Sequence, residues 1–347
     1  MVAQEDRRSI ASVDELEDRL TTPSPALVAD LSALDGDLMI IGAAGKMGPT
    51  LAMLAKRALD TVGGGRPVTA VARFSDTAAR EWLESAGVTT VVADLHDSAQ
   101  LAALPEAGNI VYMLGTKFGT SGAEHQTWAT NTYLAGKVAE RFPMARWTVF
   151  SSGNVYPLRP VTRGGGDERL PPEPVGEYAQ SCLARERLFE HVSRRTSMPV
   201  TIFRLNYAID LRYGVLHDIA RQVHRREAVD ISMGNVNVIW QGDANAIALR
   251  ALRLASSPPT ILNVTGPETI SVRWLVEQFA RRFGVEPRVT GEEAETALLN
   301  NSAACFGHFG YPSVPLATML DWVADWIARD MPTLNKLTHF QEREGKF

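Results

Sequence analysis

The sequence predicts an α/β fold, a doubly wound parallel sheet followed by a smaller mixed α/β lobe. Three observations predict it. Apolar segments of strand length alternate with helical segments from residue 38 to about 204. A glycine-rich turn joins the first of those strands to the first of those helices. The chain's 347 residues, 45% hydrophobic and 22% charged, suffice for a sizeable core. The strands read as continuous apolar runs, as a parallel sheet covered by helices on both faces requires.

Residues 1–36 read as a helical N-terminal extension. Ser12-Val13-Asp14-Glu15 has capping-box spacing ahead of Leu16 and Leu20. Ser24-Pro25 opens a second helix, with Leu27, Val28, Leu31 and Leu34 at helical spacing and Gly36 beyond its end. These helices are expected to pack outside the main fold, with a lid or dimer contact as the alternative. Strands are expected over 38–41, 68–72, 88–93, 109–114, 147–150 and 200–203, and helices from the glycine loop to about 60 and over 78–86, 124–141 and 178–195. Right-handed crossovers then bring the strand C-termini to one edge, where ligands bind. Residues 37–205 form this domain, and 206–347 are mainly the lobe. In the lobe the pattern predicts strands at 236–240 and 260–264 and helices over 244–255, 272–283 and 316–328. Gly164-Gly165-Gly166 and Pro171-Pro172-Glu173-Pro174 mark a breaker-rich loop before the helix that carries Tyr178.

Composition excludes several classes. No apolar run approaches the length of a membrane-spanning helix. Gln4-Glu5-Asp6-Arg7-Arg8 opens the chain without the apolar core of an export signal. Cys182 and Cys305 cannot build a disulfide framework and fit a reducing cytoplasm. A net charge of −5, a pI near 5.9 and no basic block argue against a nucleic-acid partner. The seven histidines contain no metal-binding pair; His217 and His224 share a helix face but lack a third ligand. Glu292-Glu293-Ala294-Glu295 reads as solvated surface, and Trp322 and Trp326 as core.

The loop Gly42-Ala43-Ala44-Gly45-Lys46-Met47-Gly48 carries chemistry. Between strand and helix, Gly42 permits a tight turn, Gly45 lets backbone approach a pyrophosphate, and Gly48 lets helix and strand pack closely. The helix N-terminus adds free N–H groups and a positive dipole end. The second strand ends in Ala72-Arg73, where NAD binding would place a carboxylate. A guanidinium there suits a 2′-phosphate, and Lys46 is expected to add a second charge nearby. NADP is therefore the expected cofactor, with NAD the alternative.

Further motifs follow in order: Ala93-Asp94-Leu95, Asn131, Phe150-Ser151-Ser152-Gly153-Asn154-Val155-Tyr156, Arg204-Leu205-Asn206-Tyr207 and Asn263-Val264-Thr265-Gly266-Pro267. With the Gly-x-x-Gly-x-x-Gly loop, they resemble the short-chain dehydrogenase/reductase superfamily. The likeness is strongest to its extended branch, the NAD(P)-dependent sugar epimerase/dehydratase family, and covers residues 38 to about 330. It implies a Rossmann-type fold, with Asp94 on the adenine amino group. It also implies cofactor contacts from Met47, Leu95, Leu114, Gly115, Ser151, Leu205 and Asn206. The substrate implied is a sugar, nucleotide sugar or polyol, held by the smaller lobe and changed by hydride transfer. A homodimer is implied as well, pairing the helix over 124–141 with the tyrosine helix through Trp128, Tyr133, Leu188 and Phe189.

In that family a tyrosine moves the substrate's proton, a Ser or Thr binds the same oxygen, and a lysine four residues after the tyrosine lowers its pKa. Ser152 and Tyr178 match the first two positions, and Glu186 fixes the register. Cys182 stands where the lysine belongs, and no lysine lies between Lys137 and Lys336. A thiol is no permanent cation, and a thiolate would raise the tyrosine's pKa. Three readings stay open. A cation comes from elsewhere, from Lys117 past the fourth strand or from Arg185, one turn beyond Cys182 and expected to face outward. Alternatively, Tyr178 serves only as a hydrogen-bond donor or acid. Lastly, the chain binds dinucleotide without turnover, as a regulatory module. Cys182 itself reads as a packed small residue, with a nucleophile as the alternative.

Overall fold

The computed structural model describes residues 9–63, 65–117 and 122–346. Seven parallel strands form the central sheet: β1 (Leu38–Ile41), β2 (Val68–Ala72), β3 (Thr89–Val92), β4 (Asn109–Tyr112), β5 (Arg146–Ser152), β6 (Val200–Leu205) and β7 (Thr260–Val264). Their order across the sheet is β7-β6-β5-β4-β1-β2-β3. The chain walks outward from β1 to β3, then returns to β4 on the other side of β1. That reversal opens a crevice at the C-terminal ends of β1 and β4, the place where such sheets take ligands.

Two expectations about the lobe are corrected. The strand at 260–264 belongs to the main sheet, pairing with β6 from Thr260 opposite Thr201 to Val264 opposite Leu205. It covers what would otherwise be the open edge of β6. The segment 236–240 is not one strand. Asn235–Val236 pairs with Ile270–Ser271, and Ile239–Trp240 pairs with Ala208–Ile209. The break falls at buried Asn237, whose side chain accepts from Asn206 at 2.7 Å and donates to the Asn300 carbonyl at 2.7 Å.

Apolar side chains cover both sheet faces. One face packs Ile40 and Phe203 against Leu51 and Leu54 of the helix Gly48–Val62. The other packs Met39, Tyr112 and Trp147 against Val138 and Phe189. A third cluster lies in the lobe and includes Val215, Ile219, Phe279, Trp322 and Trp326. The N-terminal helices Val13–Thr21 and Pro25–Ser32 join two of these cores. Leu27 and Leu31 enter the sheet core, whereas Leu16 and Leu20 enter the lobe core. Ser12 and Ser24 cap them, accepting from the Glu15 and Leu27 N–H groups at 3.1 and 3.2 Å. Among the described residues no helix is long and apolar enough to cross a membrane.

Phe189 departs from its expected place at a dimer face. It is 0% exposed, with its ring 5.2 Å from Trp147 and 5.5 Å from Tyr112. Leu188 packs on Gly136 of the neighbouring helix, and Trp128 donates to Glu177 within the chain. Tyr133, 66% exposed, keeps its outward position.

The helix Gly176–Thr196 carries Tyr178, and a buried ion pair fixes it to the sheet. Arg204 of β6 donates to both Glu186 oxygens, at 2.9 and 2.6 Å. Ser151 donates to Glu186, Arg204 donates to the Tyr156 oxygen at 2.6 Å, and Tyr156 donates to Asn263 of β7 at 3.0 Å. The network thus joins the helix to β5, β6 and β7. Removing one partner leaves the other charge buried and unpaired, so Glu186→Ala should lose about 3–5 kcal/mol of unfolding free energy. The paired change Glu186→Leu with Arg204→Met should lose less. Urea unfolding of the three proteins checks both expectations.

Candidate active site

Two contiguous cavities occupy the crevice and share Gly42, Gly45, Met113, Gly115 and Thr116. The first, about 410 Å³, is lined by Arg73, Asp94, Leu95 and Leu114 at the ends of β2, β3 and β4. The second, about 390 Å³, is lined by Lys46, Met47, Gly48, Lys117, Ser151, Ser152, Tyr178, Leu205 and Asn206. Cys182 lines neither cavity.

The glycine loop fits an extended dinucleotide. Gly42 has φ +92°, and a Cβ there would stand 2.7 Å from the Leu114 nitrogen. A Cβ on Gly48 would overlap the Ala43 carbonyl, so only glycine lets the helix begin so close to the loop. At Gly45 the nearest atom to such a Cβ is the Gly42 oxygen at 3.4 Å, which leaves its backbone approachable. Met47 precedes the helix without a side-chain cap, so the first-turn N–H groups stay available to an anion.

Lys46 does not join Arg73. Its ammonium lies 3.4 Å from the centroid of the Tyr213 ring, across the second cavity, where the aromatic face attracts it. Burial lowers its pKa to about 7, with Lys117 and Lys336 adding repulsion and Asp218 opposing them. Among the described residues lining the first cavity, Arg73 is the one lysine or arginine.

Ser152 ends β5, and its hydroxyl accepts from the Asn154 N–H at 3.2 Å and donates to the Asn154 amide oxygen at 2.9 Å. It lines the second cavity together with Tyr178. Burial raises the Tyr178 phenol above its ordinary range and Cys182 raises it further, while Ser152 and Arg185 act in the opposite direction. Burial likewise raises the Cys182 thiol, and a packed neutral thiol is a poor nucleophile.

Arg185 corrects the expectation of an outward side chain. It is 5% exposed and lines the second cavity. Its Nε donates to the Asn131 carbonyl at 3.0 Å, and its Nη1 donates to the Phe150 carbonyl at 2.9 Å. Three residues past Cys182 on a helix is the same face, so both turn inward. The neighbouring helix supplies the acceptor, because a π-type turn at Ala129–Tyr133 interrupts its regular ladder around Asn131. A Cβ on Gly115 would meet the Arg185 Nη2 at 2.7 Å, so the guanidinium lies directly behind that glycine.

Asn131 holds the loop after β4. It accepts from the Thr116 N–H at 2.7 Å and donates to the Thr116 carbonyl at 2.9 Å and the Ser181 hydroxyl at 3.0 Å. Lys117 follows, with its ammonium 5.6 Å from the Tyr178 ring centroid and 6.0 Å from that of Tyr207. Burial lowers its pKa to about 8. Sequence reasoning missed Tyr213, Gln241, Lys336 and Thr338, which also line the second cavity. Tyr207, which follows Asn206 on the same cavity wall, sits at φ +42°, a strained conformation for a bulky residue. Among the described residues no three His, Cys, Asp or Glu side chains gather as a metal site.

A dinucleotide crevice with a serine–tyrosine pair at its mouth defines a nucleotide-dependent enzyme of the Rossmann type. The model of the NAD dependent epimerase/dehydratase family matches residues 38–241, and the chain belongs to that family. Solved structures share its fold. MoeE5 in complex with UDP-glucose and NAD is 19% identical, with 85% of this chain and 99% of that chain covered and a TM-score of 0.68. UDP-glucuronic acid 4-epimerase from Bacillus cereus in complex with NAD is 16% identical, covering 84% and 99% with a TM-score of 0.68. UDP-glucose 4-epimerase from Thermotoga maritima is 14% identical, covering 85% and 99% with a TM-score of 0.67. No curated protein matches the chain.

The depressed Lys46 has a stability consequence. Between about pH 7 and 10.5 the folded chain holds fewer protons at this site than the unfolded chain. Stability from this group therefore rises with pH through that window, and below it the buried charge carries its full cost. Lys46→Met should raise the melting temperature at pH 6.5 by about 2–4 °C. The gain should shrink toward pH 10 in the same thermal-denaturation series.

Proposed function

We propose that this chain exchanges hydride between a nicotinamide dinucleotide, NADP in preference to NAD, and a carbinol carbon of a sugar, nucleotide sugar or related polyol. The observation that carries the reading is Ser152 and Tyr178 together on the wall of the cavity that the glycine loop also lines. Membership of the family and the UDP-sugar complexes of its structural neighbours support the substrate class. Oxidation, epimerisation and dehydration all open on the same step, removal of a hydroxyl proton and a hydride from one carbon.

The dinucleotide, when bound, supplies hydride acceptance and return. Gly42, Gly45, Met47 and Gly48 would hold its phosphates, and Asp94, Leu95, Leu114 and Gly115 its adenosine side. Ser151, Leu205 and Asn206 would support its other end. Ser152 binds the substrate oxygen and Tyr178 takes or returns its proton. A free phenol titrates near 10, and burial pushes this one higher, so the proton leaves only under a positive charge. Cys182 cannot provide it. In our reading Lys117 provides it from across the crevice, and the Arg185 guanidinium behind Gly115 assists. The outer face around Tyr133 would pair in a homodimer.

Tyr178→Phe keeps the ring and removes the proton carrier. Turnover of responsive nucleotide sugars should fall by about 10²–10⁴-fold with dinucleotide affinity retained. Undiminished turnover would remove Tyr178 from the mechanism. Arg73 stands where an NAD-selective site would place a carboxylate, and a guanidinium suits a 2′-phosphate. Calorimetry should therefore show NADP(H) binding more tightly than NAD(H), with the difference lost in Arg73→Ala.

A further inference from the structure

The second cavity is more cationic than hydride transfer requires. Lys46, Lys117, Arg185 and Lys336 line it, and no carboxylate does among the described residues. This concentration of positive charge lies in a chain of net charge −5. The three lysines come from three distant places: the glycine loop, the loop after β4 and the C-terminal segment. Lys46 and Lys336 reach the same space in which Ser152 and Tyr178 meet.

The C-terminal segment is tied down where it contributes. The Leu334 N–H donates to the Arg212 carbonyl at 3.0 Å, and the Thr333 hydroxyl donates to the same oxygen at 3.2 Å. The Thr338 N–H and hydroxyl both donate to one Asp218 oxygen, at 2.8 and 2.6 Å. Arg343 donates to the Thr296 carbonyl and hydroxyl, each at 2.7 Å. Beyond it, Gly345 packs against Gly176, at the start of the tyrosine helix. Asp218, the acid that opposes repulsion at Lys46, is thus already engaged by Thr338.

We propose that the C-terminal segment completes the substrate site, and that Lys336 with Lys46 and Lys117 selects substrates bearing an anionic group, a carboxylate or a phosphate, near the carbon that reacts. The inference rests on the function proposed above and narrows its substrate class. Gathering like charges in a partly buried cavity is unfavourable until an anion enters it, and an entering carboxylate or phosphate relieves the repulsion. The lowered pKa of Lys46 has that repulsion among its causes. The phosphates of the dinucleotide have their own place at the helix beginning with Gly48. Lys46 turns from there toward Tyr213, on the lobe side.

The test uses the full chain loaded with dinucleotide and two readouts, thermal-shift binding and turnover. Matched probes separate the sources: a neutral aldose, its uronate and its 1-phosphate, with a UDP-sugar only as the control for recognition of the nucleotide. The uronate or the 1-phosphate should bind at least tenfold more tightly than the neutral sugar. Lys336→Met should lower that affinity about tenfold, and Lys336→Glu further. Both variants should leave dinucleotide affinity and neutral-sugar binding unchanged, and the loss in turnover should fall on KM rather than kcat. Preference for carboxylate or for phosphate identifies which anion the site takes, and either supports the proposal. Equal binding of charged and neutral probes overturns it. So does a Lys336 effect confined to dinucleotide affinity, which would assign the lysines to the cofactor. Anion binding that depends on Lys336 but without turnover would overturn the proposed reaction while upholding the anion site.

Discussion

In the proposed reaction a partly buried phenol, that of Tyr178, has to release a proton, and this sets the terms for the rest of the site. Tyr178 lies at the start of a helix pinned by the Glu186–Arg204 pair, partly buried against Val155, Tyr156 and Cys182. Its helical neighbour one turn on is Cys182, itself buried and neutral, so the helix offers no charge at the usual distance. Positive charge must then come from further along this helix or from another element. The structure brings two sources close. Arg185 is clamped by the Asn131 and Phe150 carbonyls, and Lys117 is presented by the loop that the Asn131 side chain holds. One residue of the helix preceding β5 therefore governs both candidate cations. The two differ in kind: Arg185 is a planar guanidinium held by two backbone carbonyls, whereas Lys117 is an ammonium whose pKa burial lowers to about 8.

Charge in the crevice is divided by position. Among the described residues Arg73 is the one lysine or arginine lining the first cavity, whereas Lys46, Lys117 and Lys336 line the second, with Tyr207 and Tyr213. In the proposed reading that division puts selection of the dinucleotide and selection of the substrate at opposite ends of one groove. The lobe and the C-terminal segment contribute Tyr207, Tyr213, Lys336 and Thr338 to the second end.

Much of this was legible in the sequence, for physical reasons. Strand-length apolar runs and a glycine loop between strand and helix leave few ways to fold, and each strand through β6 lies close to where its apolar run placed it. Gly42 and Gly48 were readable because no other residue tolerates those contacts. The seventh strand was misplaced because periodicity reports an element but not its sheet. Arg185 was misdirected because its inward turn depends on carbonyls from other elements, one of them beside a π-type turn that no local pattern announces. Lys46 was assigned to Arg73 on closeness to the loop, yet a long side chain goes where an aromatic face receives it. Lys336 and Thr338 carried no signal, since their place depends on a long return of the chain.

The central claim is that a cation outside the tyrosine helix lowers the pKa of Tyr178. The pH profile of turnover for wild-type protein and Lys117→Met tests it most directly, with the Tyr178 limb identified by its loss in Tyr178→Phe. The account predicts that the limb moves to higher pH by about one unit or more when the ammonium is removed, and back toward neutrality when Cys182→Lys is added. A limb that stays in place in Lys117→Met would contradict the account.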